Sequence, residues 1–393
     1  MWIQMKVRRV RIMSDVNEIA EKFNQLTSLI SLPAREDEAR VLALALASGL
    51  NCVLIGSPGT AKSLMIDTLA KMVDAKYFKY LLTKFTEPEE IFGYPDVKTL
   101  RETGEIVYNY SNKLPEAEIA FLDEIFKGSS AILNTLLRII NEKEFYDGRQ
   151  FIRVPLHVLY GASNELPEDE SLNALYDRFI IRLFMRSTPS DYYEDVVRKG
   201  WSILKNSWTN SGNTIMTMDE VRAFSIAILN VDIDPIVDTM LEVITKFEKT
   251  TETTVSDRRK VMALKLIATN ALLNGRSQAI KSDVSVLRYI LPETPDHMEP
   301  VNELLKDYMD AEDRARREAR ELMTQLNSII ERIEKATSTE ELQELVEAVR
   351  EASVAVSNFL SKYSGLEIEE INEVRALKEK MGNTYGNKLL TFQ

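Results

Sequence analysis

A chain of 393 residues, 45% of them hydrophobic, has enough apolar material for two or three packed domains. Its 61 acidic and 49 basic side chains give a net charge of −12, a field that repels nucleic acid in bulk and leaves only a local basic channel open for such a role. A single cysteine, Cys52, and two histidines exclude an intrachain disulfide and leave almost no ligands for a Cys/His zinc site, and no apolar run is long enough to span a bilayer. A cytoplasmic, reducing setting without membrane insertion is the expectation.

Residues 1–13 carry Lys6, Arg8, Arg9 and Arg11 but no apolar core or cleavage site, so they read as a basic arm and not as a signal peptide. From Ser14 to Ile30, Val16, Ile19, Ala20, Phe23, Leu26 and Ile30 recur at helical spacing, with Ser14 placed as N-cap. Pro33 breaks the run, a second helix follows from Arg35 to Ser48, and Gly49 closes it. The apolar run Cys52 to Ile55 then delivers the chain into Gly56-Ser57-Pro58-Gly59-Thr60-Ala61-Lys62-Ser63, followed by an amphipathic stretch from Leu64 to Val73. This reads as strand, phosphate loop and helix. Inward backbone N–H groups and the helix N-terminus attract anions, Lys62 would reach the β and γ phosphates of ATP, and the Ser63 hydroxyl would hold Mg²⁺. Ala61 departs from G-x-x-x-x-G-K-[ST], and an ordinary strand-to-helix turn with an exposed lysine would explain the loop taken alone.

A short strand is expected from Tyr77 to Leu82. Thr83 to Asn112, punctuated by Pro88, Gly93, Pro95 and Gly104, reads as an insertion with one hairpin arm at Glu105 to Tyr110. Ile119 to Leu122 is a buried-strand pattern that ends in Asp123-Glu124, which would face the same crevice as Lys62 and Ser63. Asp123 would hold Mg²⁺ through its water shell, and Glu124 would orient and deprotonate the attacking water. A helix over Gly128 to Asn141 precedes a hairpin built on Lys143 to Tyr146, Asp147-Gly148, Phe151 and Arg153. The strand from His157 ends at Asn164, which either polarises that water or touches the γ phosphate, or else only forms a turn. Arg178 stands just before the apolar run Phe179 to Ile181.

Taken in order, Gly56 to Ser63, Phe121 to Lys127, Gly161-Ala162-Ser163-Asn164-Glu165 and Tyr176-Asp177-Arg178-Phe179 resemble the MoxR group of AAA+ ATPases, most closely its RavA-like branch. The likeness covers roughly residues 14 to 293, and Ala61 fits that group's G-x-P-G-x-A-K-S loop. It implies that Gly56 to Ser63 form Walker A, Asp123 and Glu124 Walker B, and Asn164 sensor one. It further implies that Arg178 is an arginine finger reaching the nucleotide of a neighbouring subunit, so that hydrolysis depends on a ring of copies, hexameric by resemblance. Within Ser256-Asp257-Arg258-Arg259 it implies a sensor two arginine, for which Arg258 is preferred to Arg259; whether it acts within or across subunits stays open.

The resemblance therefore implies an α/β fold: a P-loop parallel-sheet core at 14–190 with a helix-2 insert at 85–112 and a presensor-1 hairpin at 143–155, then an all-α lid at 191–293. Trp201 and Trp208 read as packing residues of that lid. Beyond Pro292 and Pro295 the chain is charged and glycine-poor; residues 294–393 read as two long helices folded back on each other, joined near Ser338-Thr339-Glu340-Glu341, with a shorter third over Glu367 to Met381. The function implied is an ATP-driven ring that remodels or matures client protein complexes with a separate VWA-domain partner. Two alternatives share the core motifs. One is a nucleic-acid translocating motor, disfavoured by the acidic net charge yet kept open by Lys143, Arg149 and Arg153 in the hairpin; the other is a chelatase-type metal-insertion motor.

Overall fold

In the computed structural model, which describes residues 2–167, 169, 172–207, 214–308, 311–336, 338–363 and 369–391, the apolar runs of the N-terminal half form one parallel sheet. Its strands are β1 (Cys52–Gly56), β2 (Tyr77–Leu81), β3 (Ile119–Asp123), β4 (Val158–Ser163) and β5 (Ile181–Met185), in the spatial order β5-β1-β4-β3-β2. Helices cover both faces, which is why β1, β3 and β4 read as unbroken apolar runs without alternation. Register sets Ile55 beside Ser163 and Leu122 beside Gly161, so the exits of β1, β3 and β4 lie together along one edge of the sheet.

The first helix, α1 (Trp2–Ile30), is longer than its apolar spacing predicts. No glycine or proline interrupts residues 2–14, so the backbone stays helical through the stretch read as an arm, and Ser14 lies inside the helix and does not cap it. Next come α2 (Glu36–Ser48), closed by Gly49 at φ 65°, and α3 (Lys62–Lys71), which leaves the loop after β1. The insertion holds two short helices, Pro88–Phe92 and Val97–Thr103, and its expected hairpin arm shrinks to Tyr94–Pro95 paired with Tyr108–Asn109. Helix α4 (Ser130–Glu142) and a hairpin of Glu144–Tyr146 against Phe151–Arg153 match the reading of that region.

The helical segment contains α5 (Tyr193–Ser207), α6 (Met218–Ala227), α7 (Val237–Thr251) and α8 (Asp257–Leu273). Trp201 is not a packing residue: it is 61% exposed on α5, and Trp208 lies outside the described residues. Two compact units divide the chain at Leu305 and Lys306. The boundary falls later than 294 because the helix Met298–Leu305 buries Val301 and Leu305 in the first unit. The second unit consists mainly of α9 (Ala311–Lys335), α10 (Val346–Lys362) and α11 (Glu369–Thr391) around Leu326, Ile333, Val356 and Val374. Its last helix is not the short one expected. Apolar spacing continues through Leu377, Met381 and Tyr385, which pack on the same core, so the helix reaches Thr391. Ser338 caps the short helix Thr339–Glu344, its Oγ accepting from Glu341 N at 3.2 Å.

Candidate active site

The loop between β1 and α3 is fixed by close backbone approach. Gly56 pairs with Met185, and a Cβ at Gly56 would stand 2.3 Å from the Met185 carbonyl oxygen, so only glycine fits. Gly59 has φ 80°, and Ala61 sits at φ 66°, the left-handed conformation in which a side chain costs about 1 kcal/mol. The residue that departed from the generic motif thus keeps a glycine-like backbone. Thr60 Oγ1 donates to Ser57 O at 2.9 Å and closes the loop.

Lys62 is buried, and its Nζ donates to Gly56 O, to Ser57 O at 3.1 Å and to Asn164 Oδ1 at 3.2 Å. Burial lowers its pKa, while the Asp123 and Glu124 carboxylates oppose the shift and favour the charged form. Ser63 Oγ donates to Asp123 Oδ2 at 3.1 Å. Asn164 Nδ2 donates to Glu124 Oε1, so this one amide bridges the lysine and the second carboxylate. Glu124 itself has φ 52°, a strained backbone for a residue with a side chain, and its amide donates to Asp123 Oδ1 at 3.0 Å. Its buried Oε2 lies 3.1 Å from Lys127 Nζ, an ion pair, but accepts no hydrogen bond. The four expected residues Lys62, Ser63, Asp123 and Glu124 therefore converge with Asn164 at the exits of β1, β3 and β4.

Arg178 and Arg258 do not join them. Asn51, immediately before β1, brings its Nδ2 3.5 Å from the Arg178 carbonyl, so Arg178 stands at the strand entrances while the Lys62 loop stands at the exits. A strand of this length separates the two edges by about 16 Å. Arg178 Nη1 donates to Ala174 O at 2.8 Å, and its Nε shares Asn141 Oδ1, at 3.4 Å, with Arg258 Nη1, at 3.0 Å. Two guanidinium groups thus meet on a neutral amide, and the pKa of Arg178 is lowered by burial and by the charge of Arg258, against the pull of Asp177. Arg259 points the other way. It is fully buried and donates to Ile290 O, Leu291 O and Glu293 Oε1.

Three partners escaped the sequence reading. Asn141, at the end of α4, gathers the two arginines; Lys127 neutralises Glu124; and Arg182, buried in β5 with its guanidinium 4.0 Å from the Tyr176 ring centre, stands 3.6 Å from Glu293. Lys127 at i+3 from Glu124 carries a weak spacing signal, whereas Asn141 and Arg182 carry none, because their neighbours are distant in sequence.

A parallel β5-β1-β4-β3-β2 sheet with a phosphate-type loop after β1, paired carboxylates after β3 and a following helical segment defines a AAA+ core with its lid. The model for the MoxR domain of MoxR-vWA-beta-propeller ternary systems matches residues 18–231, and that for an AAA lid domain matches residues 235–305. The chain belongs to the MoxR family of AAA+ ATPases. Two uncharacterised proteins of Methanocaldococcus jannaschii are similar to it, one 37% identical over 68% of this chain and 70% of its own length, the other 36% identical over 75% and 76%. The chaperone MoxR1 of Mycobacterium tuberculosis is 25% identical over 65% of this chain and 71% of its own. A crystal structure described as a candidate ATPase from Cytophaga hutchinsonii shares the fold, with a TM-score of 0.63 and 16% identity over 77% of this chain and 98% of that one.

Proposed function

We propose that the chain hydrolyses ATP to ADP and phosphate at a site shared between two copies in a ring, and that it uses the cycle to remodel or mature client protein complexes with a VWA-domain partner. The observation that carries this reading is the placement of the arginine pair and the Lys62 loop at opposite edges of one sheet. A site needing both must take one half from each of two copies, and that supports a trans role for Arg178 and for Arg258 with it. A hexamer and the RavA-like branch belong to the proposal on the strength of the motifs, and a cytoplasmic setting on that of the single cysteine, Cys52.

The residues present fit Mg²⁺ and ATP. Ser63 and Asp123 form an oxygen pair suited to a hard cation, and the Lys62 ammonium spends its donors on exchangeable loop carbonyls and Asn164. Mg-ATP, when bound, supplies the phosphoryl group and the divalent charge. Gly56, Ser57, Pro58, Gly59, Thr60 and Ala61 form the cradle, with Lys62 and Ser63 at its end. Glu124 Oε2, buried, ion-paired with Lys127 at 3.1 Å and accepting no hydrogen bond among the described residues, is the oxygen that would take a proton from water, while Asn164 holds Oε1 and so fixes the carboxylate plane. Arg178 and Arg258 place positive charge toward the neighbour, a contribution worth about 10³ to 10⁵ in rate for an arginine finger.

Several surface features favour a protein client over nucleic acid. In the hairpin, Arg149 is paired with Glu105 at 2.7 Å, and Phe151 carries on its ring, at 3.8 Å from the centre, the guanidinium of Arg138 from α4, so both of these cations are engaged within the chain. Phe85, Tyr94, Tyr146 and Phe151 are exposed on the two insertions, an apolar display suited to polypeptide. The test is Glu124→Gln. The variant should keep ATP affinity while turnover falls by about 10² to 10⁴, and proteins should be retained with it from cell extract. Near-normal turnover would remove Glu124 from the base role, and selective retention of nucleic acid would favour the translocating motor.

A further inference from the structure

Arg178 and Arg258 reach the strand-entrance edge from different parts of the chain, and one side chain joins them. Arg178 lies between the short helix Asn173–Tyr176 and β5, whereas Arg258 belongs to the first turn of α8 in the helical segment. Both donate to Asn141 Oδ1, Arg178 from Nε at 3.4 Å and Arg258 from Nη1 at 3.0 Å. Guanidinium groups keep their charge, so two of them this close repel each other, and the amide oxygen between them offsets part of that cost. Among the described residues no acid takes that place. Asp177 stands 3.8 Å from Arg178 Nη1 and accepts from Ser256 Oγ at 3.0 Å, Glu142 pairs with Arg138 at 3.1 Å, and none of Asp177, Glu142 and Asp257 forms an ion pair with Arg258.

The two arginines depend on that oxygen unequally. Arg178 keeps a second tie, from Nη1 to Ala174 O at 2.8 Å, while for Arg258 the bond to Asn141 is the one hydrogen bond its side chain makes among the described residues. An exposed arginine samples many rotamers, so a single fixed acceptor decides where its charge points. Asn141 is itself fixed. It lies in the last turn of α4 next to the buried Ile139 and Ile140, and the helix closes at Lys143, at φ 56°, whose N–H donates to Ile139 O at 3.1 Å and whose carbonyl accepts from Val154 N at 2.8 Å. Helix α4, 13 residues and so about 20 Å long, starts just past Glu124 and ends with the acceptor for the arginine pair.

We infer that Asn141 is the positioning residue of the arginine half-site: its amide oxygen holds Arg178 and Arg258 side by side, so that both charges are presented together to the phosphates bound by the neighbouring copy, and its neutrality leaves both charges undiminished. The inference rests on the shared-site reading above. An aspartate at this position would hold the pair as firmly but cancel one of its two charges, whereas an alanine would leave Arg258 without a fixed direction.

Turnover, equilibrium ATP binding and melting of the full-length variants test it together. Asn141→Ala should turn over ATP about tenfold more slowly, with ATP affinity within about threefold of wild type. Its melting temperature should stay within about 2 °C, because the side chain is exposed. Asn141→Asp should also lose turnover, by at least about threefold, with affinity kept. In a chain already lacking Arg258, Asn141→Ala should cost no more than about threefold further, since Arg178 retains Ala174 O. Mixing the variants locates the defect. Turnover per Asn141→Ala chain should rise when Lys62→Ala protein is added, because those copies bring an intact arginine half, and should not rise with Arg178→Ala protein, which lacks the same half. A loss of ATP affinity or of melting temperature parallel to turnover, or wild-type turnover in either Asn141 variant, would overturn the inference. If Arg178→Ala recovers with Lys62→Ala protein and Asn141→Ala does not, the inference falls and the shared site stands; if neither recovers, both fall.

Discussion

Arg258 and Arg259 are adjacent in sequence but opposite in surroundings, and replacing each by alanine separates a site role from a folding role. Arg259 is 1% exposed and donates to the carbonyls of Ile290 and Leu291 and to Glu293. Its loss leaves two buried carbonyls without their charged donor, and each such bond is worth about 1.5–3 kcal/mol. Two terms reduce the sum. Arg182 Nη1 stays 3.6 Å from Glu293, so that carboxylate is not left without a cation, and burial already pulls the Arg259 pKa down to about 10, a desolvation cost that the alanine variant no longer carries. A net loss of about 3 kcal/mol follows, seen as a fall of roughly 5–10 °C in the melting temperature of the first unit. Arg258, exposed and bonded to Asn141 Oδ1, should change stability by no more than about 0.5 kcal/mol when replaced, while ATP turnover falls at least tenfold. Circular dichroism melts beside phosphate-release assays decide the matter. If Arg259→Ala melts like wild type while Arg258→Ala loses several degrees, the assignment of the two side chains is wrong.

Lys62→Ala should abolish ATP binding, and micromolar affinity retained in equilibrium binding would remove the loop from the site. Arg178→Ala should bind ATP yet turn over slowly; mixing it with Lys62→Ala protein should recover part of the activity, because each variant supplies the half that the other lacks. No recovery with assembly intact would count against the shared site. His157 supplies a pH test. Its Nε2 contacts Leu46 O at 2.7 Å, and burial, helped by Lys265, Lys143 and Arg222 and opposed by that carbonyl, lowers its pKa to about 4. The unfolded chain, with a histidine pKa of about 6.5, therefore takes the proton first as pH falls. The stability that neutral His157 contributes is complete above about pH 6.5 and is lost toward pH 4, by up to about 3 kcal/mol. Urea midpoints at pH 7 and pH 5 should differ less in His157→Gln than in wild type, and equal differences would show that this ring is not the titrating group.

Much of the site was legible because its groups follow strand ends. Cys52 to Ile55, Ile119 to Leu122 and Val158 to Ala162 are apolar without alternation, as strands buried on both faces must be, and the polar residues that end them are confined to one edge by the parallel register. Ser63, Asp123, Glu124 and Asn164 needed only that rule. Asn141 and Arg182 were silent, because a hydrogen bond to an arginine 37 residues away leaves no periodicity behind. Ser14 and the third tail helix were misread at their ends for a related reason: spacing marks the face of a helix well and its termini poorly when no glycine or proline stops it.

By itself, then, the sequence determined the parallel core, the glycine-bearing loop after its first strand and the carboxylates at its rim, since each is written in local alternation, turn chemistry and the order of motifs. The tertiary structure alone decided which of Arg258 and Arg259 is exposed and which enclosed, and that Arg178 stands a full strand's length from the Lys62 loop of its own chain. It also decided that Trp201, 61% exposed, faces outward on α5. Direction is the physical reason. Two adjacent residues on α8 diverge by about 100° around the helix axis, and only the packing of Ile290 to Glu293 determines which of them is enclosed.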